Sequence, residues 1–182
     1  MNRYVRLLCI CILSCILIPL PAEGESVELY TTTDLAAVDA LWQDHISFRA
    51  SVGCILTDGV GLELPIVYTV DRSGGEEILM DIALKLMVFP WGSGPFISLS
   101  LTQACIFMGP FIPEDRVHYL NEIAIGYTWN VIPRWFIRPS VIYRDPSNNY
   151  GEDFAYIEAL VPTRKKVRFC LEVGWLFASL TQ

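Results

Sequence analysis

Residues 117–143 read VHYLNEIAIGYTWNVIPRWFIRPSVIY, and apolar residues recur in them at every second position. The alternation runs to Trp129, turns at Ile132 and Pro133, and resumes up to Tyr143. Successive side chains of a β-strand point to opposite faces, so this stretch predicts a hairpin of two strands, each with one apolar face.

Each arm of this hairpin has at least the roughly 10 residues that a tilted strand needs to cross a bilayer. Aromatic residues lie near the ends of the arms, and charged residues such as Glu122 and Arg138 lie in the middle of the other face. The apolar face of a water-soluble barrel points inward, whereas that of an outer-membrane barrel points to lipid. We interpret the stretch as a membrane-spanning hairpin.

Eight runs of this kind follow one another from residue 46 onward. They are 46–56, 60–70, 77–89, 95–108, 117–130, 134–144, 154–161 and 166–178. Turn signals such as Asp58-Gly59 and Gly74-Gly75 separate them. Eight strands make the smallest barrel whose interior is just filled by side chains. The sequence therefore predicts an all-β fold, an eight-stranded antiparallel up-and-down transmembrane β-barrel over residues 46–182.

The mid-strand charges all fall on the face opposite to the large aliphatic residues. We predict that they form a charge network in the lumen, made of Arg49, Glu63, Asp81, Lys85, His118, Glu122, Arg138, Arg144, Glu158, Arg168 and Glu172. A loop of about three residues between the last two runs would place Glu158 directly opposite Arg168, close enough to form an ion pair.

Tyrosine and tryptophan residues gather near the ends of the predicted strands, as in the aromatic girdles of membrane barrels. The predicted girdle consists of Tyr68, Trp91, Tyr119, Tyr127, Trp129, Trp135, Tyr143 and Trp175. The alternative is a soluble, secreted, lipocalin-like barrel, in which the charged face would be exposed and the aliphatic face would line a ligand cavity.

The first 24 residues have the layout of a secretory signal peptide. Arg3 and Arg6 precede an apolar run, and a small-residue site favours cleavage after Gly24. Lipoprotein processing at Cys15 is the alternative. Residues 25–45 are predicted to be a leader with a short amphipathic helix, whose apolar side would be Leu35, Val38, Leu41 and Trp42.

Three further expectations concern local structure. Pro65 and Pro139 lie inside predicted strands, where each removes a ladder hydrogen bond, so bulges or breaks are expected there. The connections after the first, third, fifth and seventh predicted strands are the shorter ones, which is the reverse of the usual outer-membrane asymmetry. This mismatch suggests an unusually bare outer surface, or a further strand near residues 26–33.

Composition excludes several other classes. A formal net charge of −7 gives no basic face for nucleic acid. After the signal, no apolar stretch reaches the roughly 18 residues of a transmembrane helix. Outside the signal, Cys54, Cys105 and Cys170 share no close spacing, so neither a disulfide framework nor a metal site is indicated.

Enzyme chemistry is not indicated either. His45 and His118 are the only histidines, and no hydroxyl nucleophile and acidic partner accompany them at a telling spacing. We expect no enzymatic activity, no cofactor and no metal. A lipid A-modifying enzyme remains an alternative, because some small outer-membrane barrels carry out that reaction.

With an export signal, eight alternating runs and aromatic girdles, residues 46–178 resemble the small eight-stranded outer-membrane barrels of diderm bacteria, of the OmpA, OmpX, OmpW and PagP kind. Similar barrels are described for spirochaetes. The resemblance is one of architecture, so no functional residue is carried over. It implies a location in the outer membrane, contact with outer-membrane lipids and insertion by the barrel assembly machinery. It also implies a structural or adhesive role, or a narrow channel for small, including apolar, solutes; no sequence feature identifies a host ligand.

Overall fold

The computed structural model describes residues 26–35, 45–57, 59–71, 78–108, 116–162 and 164–181. The predicted signal peptide and most of the predicted leader helix lie outside these residues. The described chain forms ten strand segments and one helix. They are β1 (Ser26–Asp34), β2 (His45–Thr57), β3 (Val60–Asp71), β4 (Ile78–Val88), β5 (Pro95–Met108), β6 (Val117–Tyr119), β7 (Glu122–Tyr127), β8 (Trp129–Ile132), β9 (Trp135–Arg144), α1 (Gly151–Leu160) and β10 (Val167–Thr181).

The strands close into a barrel. β1 to β5 pair antiparallel in chain order, β5 pairs with β6 and β7, and β9 pairs with β7 and β8. β10 pairs with both β9 and β1. The segments β6, β7 and β8 follow one another at a single position of the barrel, so the ten segments make eight barrel strands. The prediction of a closed, eight-stranded antiparallel barrel is confirmed.

The predicted strand at residues 154–161 is wrong, because residues 154–160 belong to α1 and Val161 caps its C-terminus. Phe154, Ile157 and Val161 are buried, at spacings of three and four that suit a helix. The position of Ile157 fits the two-residue period of a strand as well as the 3.6-residue period of a helix. A run of eight residues could therefore not distinguish a strand from a helix. Glu152 and Asp153 lie in the first turn, where acidic side chains favour a helix.

No helix among the described residues is long and apolar enough to cross a membrane.

The missing strand is β1, which lies in the segment predicted to be a leader. The register shift between Leu29 and Tyr30 leaves Phe177 of β10 as the extra residue, so the alternation of β1 itself is unbroken. This alternation is hidden in the sequence by polar residues on the outward face, where the hydroxyls of Thr31 and Thr33 donate to backbone carbonyls of β2. The count of eight strands therefore holds, with one strand gained and one lost.

This change also corrects the predicted pattern of connections. The strand ends that flank the long connections, residues 35–44, 72–77, 109–116 and 145–166, all lie at one end of the barrel, which we call the long-loop end. The connections 58–59, 89–94 and 133–134 lie at the other end, the short-turn end, where β1 begins and β10 ends. Short turns on one side and long loops on the other are usual for outer-membrane barrels.

Both prolines interrupt pairing as expected. Pairing between β3 and β4 skips Leu64 and Pro65 without a change of register. Pro139 of β9 has no N–H to donate to the strand beside it. The strand opposite Pro139 is therefore interrupted, and this break separates β7 from β8. On its other side Pro139 stays in register with β10.

The two faces of the sheet are inverted relative to a water-soluble protein. Phe169 on the outer face is 76% exposed, whereas Lys85 on the inner face is 2% exposed. In β5 the alternation survives a bulge, since the register shift opposite Leu84 and Lys85 leaves Leu101 as an extra outward residue. Charged and polar side chains fill the barrel, and aliphatic and aromatic side chains cover it.

Three inward-facing glycines make room for aromatic rings from neighbouring strands. The ring of Tyr30 lies across Gly53, that of Phe96 across Gly126 and that of Phe136 across Gly174. A β-carbon at any of the three glycines would overlap the ring beside it. The glycines thus fix where the rings stand in the lumen.

We predict that Gly174→Ala lowers the free energy of unfolding in detergent by about 1–3 kcal/mol, an amount typical of overpacking, and so lowers the unfolding midpoint. Adding Phe136→Leu should recover part of the loss, because a smaller side chain frees the space. Gly151→Ala, where a β-carbon meets only ordinary contacts, is the matched control. The unfolding midpoints of the native chain, the two single variants and the double variant are measured by urea titration with tryptophan fluorescence as the signal. An unchanged midpoint for Gly174→Ala would contradict the packing described here.

Candidate functional site

The centre of the lumen holds four buried charges, which we call the Arg138 cluster: Arg49, Glu63, Arg138 and Glu172. Arg138 donates to Glu63 at 2.6 Å and lies 3.7 Å from Glu172. Arg49 lies 3.2 Å from Glu172 and 3.7 Å from Glu63. Two cations alternate with two anions, so the cluster is neutral as a unit.

Aromatic rings enclose Arg138 as well. Its guanidinium carbon lies 4.9 Å from the ring centres of Tyr30 and Phe136 and 5.3 Å from that of Phe96. These are distances at which a cation is attracted to a ring face. The Tyr30 hydroxyl donates to Glu63 at 3.0 Å. The rings that lie on the three glycines are therefore the rings that surround the central arginine.

A second group of charges lies towards the long-loop end. Glu122 accepts from Lys85 at 2.7 Å and from Arg144 at 2.8 Å. Arg144 also donates to the carbonyl of Lys165 at 2.7 Å. This group ties β4, β7 and β9 to the segment that follows α1.

A third group joins the same segment to β4. Arg164, in the connection between α1 and β10, forms an ion pair with Asp81, which also accepts from Gln103. Burial, and to a smaller extent the positive charges of Arg168 and Arg49, lower the pKa of Arg164 to about 9. This pKa still leaves the guanidinium charged at neutral pH beside the Asp81 carboxylate.

The helix α1 closes the long-loop end of the lumen. Phe154 and Ile157 pack against Leu79, Phe107 and Leu120 of the barrel wall. Outside this contact, His118 Nδ1 lies 2.9 Å from the Asp153 carboxylate, and the His118 ring stacks on Tyr156 at 4.6 Å between centres. The N-terminus of α1 has no side-chain cap, so docking against the wall holds the helix in place.

His118 therefore has an acidic partner, Asp153. The alternation of the sequence did not indicate this pair, because Asp153 lies on α1, where a strand was predicted to follow. The nearest nucleophile by strand register is Cys105, which is directly opposite His118. Its side chain is 0% exposed and belongs to the apolar cluster under α1. A substrate would have to displace α1 to reach this thiol.

The structure buries nine of the eleven predicted network residues in the lumen: Arg49, Glu63, Asp81, Lys85, His118, Glu122, Arg138, Arg144 and Glu172. Arg168 is partly exposed and donates to Asp34 of β1 at 2.8 Å. Glu158 lies on α1 and is 3.4 Å from Lys165 at the surface. The predicted Glu158–Arg168 pair is therefore wrong, since a helix replaces the strand that would have carried Glu158.

The eight predicted girdle residues are all exposed, and they form two belts. Trp91, Tyr127, Trp129, Trp135 and Trp175 lie at the short-turn end, and Tyr68, Tyr119 and Tyr143 lie towards the long-loop end. Trp135 and Trp175 face each other across β9 and β10, with ring centres 6.3 Å apart.

At the short-turn end the lumen opens into a cavity of about 620 Å³. Its floor is formed by Tyr30, Phe136 and Arg138, and Phe89 and Leu176 contribute to its apolar wall. The Arg138 cluster and its rings therefore separate this cavity from the part of the lumen under α1. No pattern in the sequence indicates such a cavity, because it depends on how far neighbouring strands extend.

For the Arg138 cluster, we predict that Glu63→Gln and Arg138→Met each destabilise the barrel by about 3–5 kcal/mol, because each leaves an unbalanced buried charge. The double variant should lose less than the sum of the two, since Arg49 and Glu172 remain as a pair. Denaturant unfolding in detergent measures the coupling. Additive effects would show that the two residues are not partners, and exposed Glu152→Gln is the control.

For the helix, we predict that Ile157→Asp detaches α1 while the barrel stays folded, because a charge replaces a fully buried side chain. Limited proteolysis should then cut within residues 151–160, and the gel mobility of the folded barrel should persist. Ala155→Asp, on the exposed side of α1, should stay resistant to the protease. Unfolding of the whole barrel by Ile157→Asp would show that α1 is part of the barrel's stability.

Comparison with known proteins adds no relationship: the sequence matches no protein-family model, and a search of curated proteins found no match.

Proposed function

We propose that the chain is a membrane-embedded barrel of the outer-membrane type. The observation that carries the proposal is the inversion of the two faces, with ion pairs inside and residues such as Phe169, Leu101 and Trp129 exposed outside. In the described strands, the outward positions between the two belts carry no charged residue. Exposed apolar surface on this scale marks contact with another apolar medium, and lipid surrounds all sides of a barrel.

The separation of the belts suits a bilayer. From Trp135 to Tyr143 β9 advances eight residues, which is about 26 Å along the strand. Tilt shortens this distance, and the outer band of such barrels is about 25 Å tall. A lipocalin-like barrel would place its aliphatic residues inside and its charges outside, which is the opposite of the arrangement seen.

Within the membrane, we propose a structural or adhesive role rather than a channel. The lumen is obstructed at two levels, by α1 at the long-loop end and by the Arg138 cluster with its three rings further in. The strand ends that flank the long connections share one end with α1, and we propose that this end faces the outer surface. A narrow channel for small solutes is the second candidate, favoured by the cavity at the short-turn end.

To test the membrane assignment, the chain is refolded in detergent and run on a gel without heating. We expect a shift in mobility relative to the heated sample, a β-rich circular dichroism spectrum and precipitation on removal of detergent. A soluble monomer without detergent would contradict the membrane assignment and favour the lipocalin-like alternative.

To separate anchor from channel, the refolded protein is reconstituted in planar bilayers. We expect no conductance from the native chain, and none from Ile157→Asp, because the Arg138 cluster still obstructs the lumen after α1 is released. Steady conductance from the native chain would favour the channel. Conductance only in Ile157→Asp would identify α1 as the sole barrier.

A further inference from the structure

Among the described residues, two strand segments, β6 and β8, have a paired neighbour on one side only. β6 pairs with β5 alone, and β8 pairs with β9 alone. On the other side of β8 the last main-chain contact is from the N–H of Thr128 to the carbonyl of Gly94, at 2.7 Å. Beyond it, the turn at Gly92 and Gly94, both with positive φ, leads the chain away towards β4.

The alternation of a strand shows which groups this leaves free. Because the N–H of Thr128 points towards Gly94, the N–H and C=O of Asn130 point to the same side, away from β9. Asn130, Val131 and Ile132 are all exposed. Unpaired main-chain groups on an exposed strand can pair with a further strand.

The open edge lies beside the cavity at the short-turn end. Asn130, Val131 and Ile132 form part of its lining, and Ile55, Phe89 and Leu176 provide apolar surface across from them. A bulge at Val131 interrupts the pairing with β9 and turns this part of the strand relative to the barrel wall. A volume of about 620 Å³ is within the range of ligand pockets.

We infer that β8 and the cavity together form a binding site for an extended segment of another polypeptide. The segment adds as a strand to the free edge of β8, and one of its apolar side chains enters the cavity. Strand addition of this kind takes affinity from main-chain hydrogen bonds and specificity from pockets for alternate side chains. Glu28 and Arg134 both line the cavity, so its charges favour neither an acidic nor a basic segment.

The partner is a different protein rather than a second copy. Two copies inserted in the same membrane share one orientation, so their β8 segments run in the same direction. In a symmetric pair of copies, each β8 would present its free edge to the same free edge of the other. Neighbouring strands of a parallel sheet pair through opposite edges, so the two β8 segments could not pair with each other. This step alone rests on the proposed membrane location; the edge and the cavity do not depend on it.

The test uses the full-length chain folded in detergent micelles and a fluorescein-labelled nine-residue peptide of alternating threonine and valine. Fluorescence anisotropy measures binding. We expect saturable binding, weakened at least tenfold when alternate amides of the peptide are N-methylated, because a methylated amide cannot donate. Asn130→Pro should weaken binding of the unmodified peptide to a similar extent, since it removes an N–H that β9 does not use.

Trp91→Ala is the matched control, because Trp91 is exposed in the adjoining turn but does not line the cavity. It should bind the peptide like the native chain. The gel shift of each variant reports its fold independently of binding. Equal binding of the N-methylated peptide, equal binding to folded Asn130→Pro, or no binding of the unmodified peptide would each overturn the inference. The gel shift of the native chain tests the membrane proposal separately.

Discussion

The need to neutralise charge inside the barrel governs the rest of this structure. A charged group away from water is costly unless an opposite charge and hydrogen bonds accompany it. Arg138 meets this condition through Glu63 and Glu172, and it gains further from three aromatic rings. Those rings reach it only because glycine occupies the neighbouring inward positions. Charge balance, ring placement and glycine positions are therefore one arrangement that fixes which strands lie beside each other.

The same arrangement explains why the outside can be apolar. Because ion pairs neutralise the charged side chains inside the barrel, the barrel does not need an apolar core along its whole length. Among the described residues, apolar packing forms separate clusters under α1, around Phe89 and Phe96, and at Ala124, Ile142 and Cys170. The remaining apolar side chains face outward, where lipid can cover them. A barrel with charges inside and apolar side chains outside gains little from the hydrophobic effect in water, which is in keeping with the proposed membrane location.

The sequence predicted the closed barrel and most of its inward charges, because a period of two is visible wherever one face of a strand is apolar. It failed where that signal was locally broken or ambiguous. Threonines on the outward face hid β1, and Ile157 satisfied both periods in α1. Asp153 and Arg164 were missed as partners because they come from the long connection after β9. Only the folded path of that connection brings them to His118 and Asp81, so no local pattern could have revealed these pairs.

The seam between β1 and β10 has a consequence for how the protein is made. Ser26 is in register with Thr181, so the barrel closes only when the first and last strands of the described chain meet. Ion pairs such as Asp34–Arg168 and Arg49–Glu172 join residues far apart in sequence and form with this step. Contacts of such long range make folding slow. Until closure, β1 and β10 are open edges with apolar faces, and such edges invite aggregation. The chain therefore depends on protection of these two edges until the barrel closes.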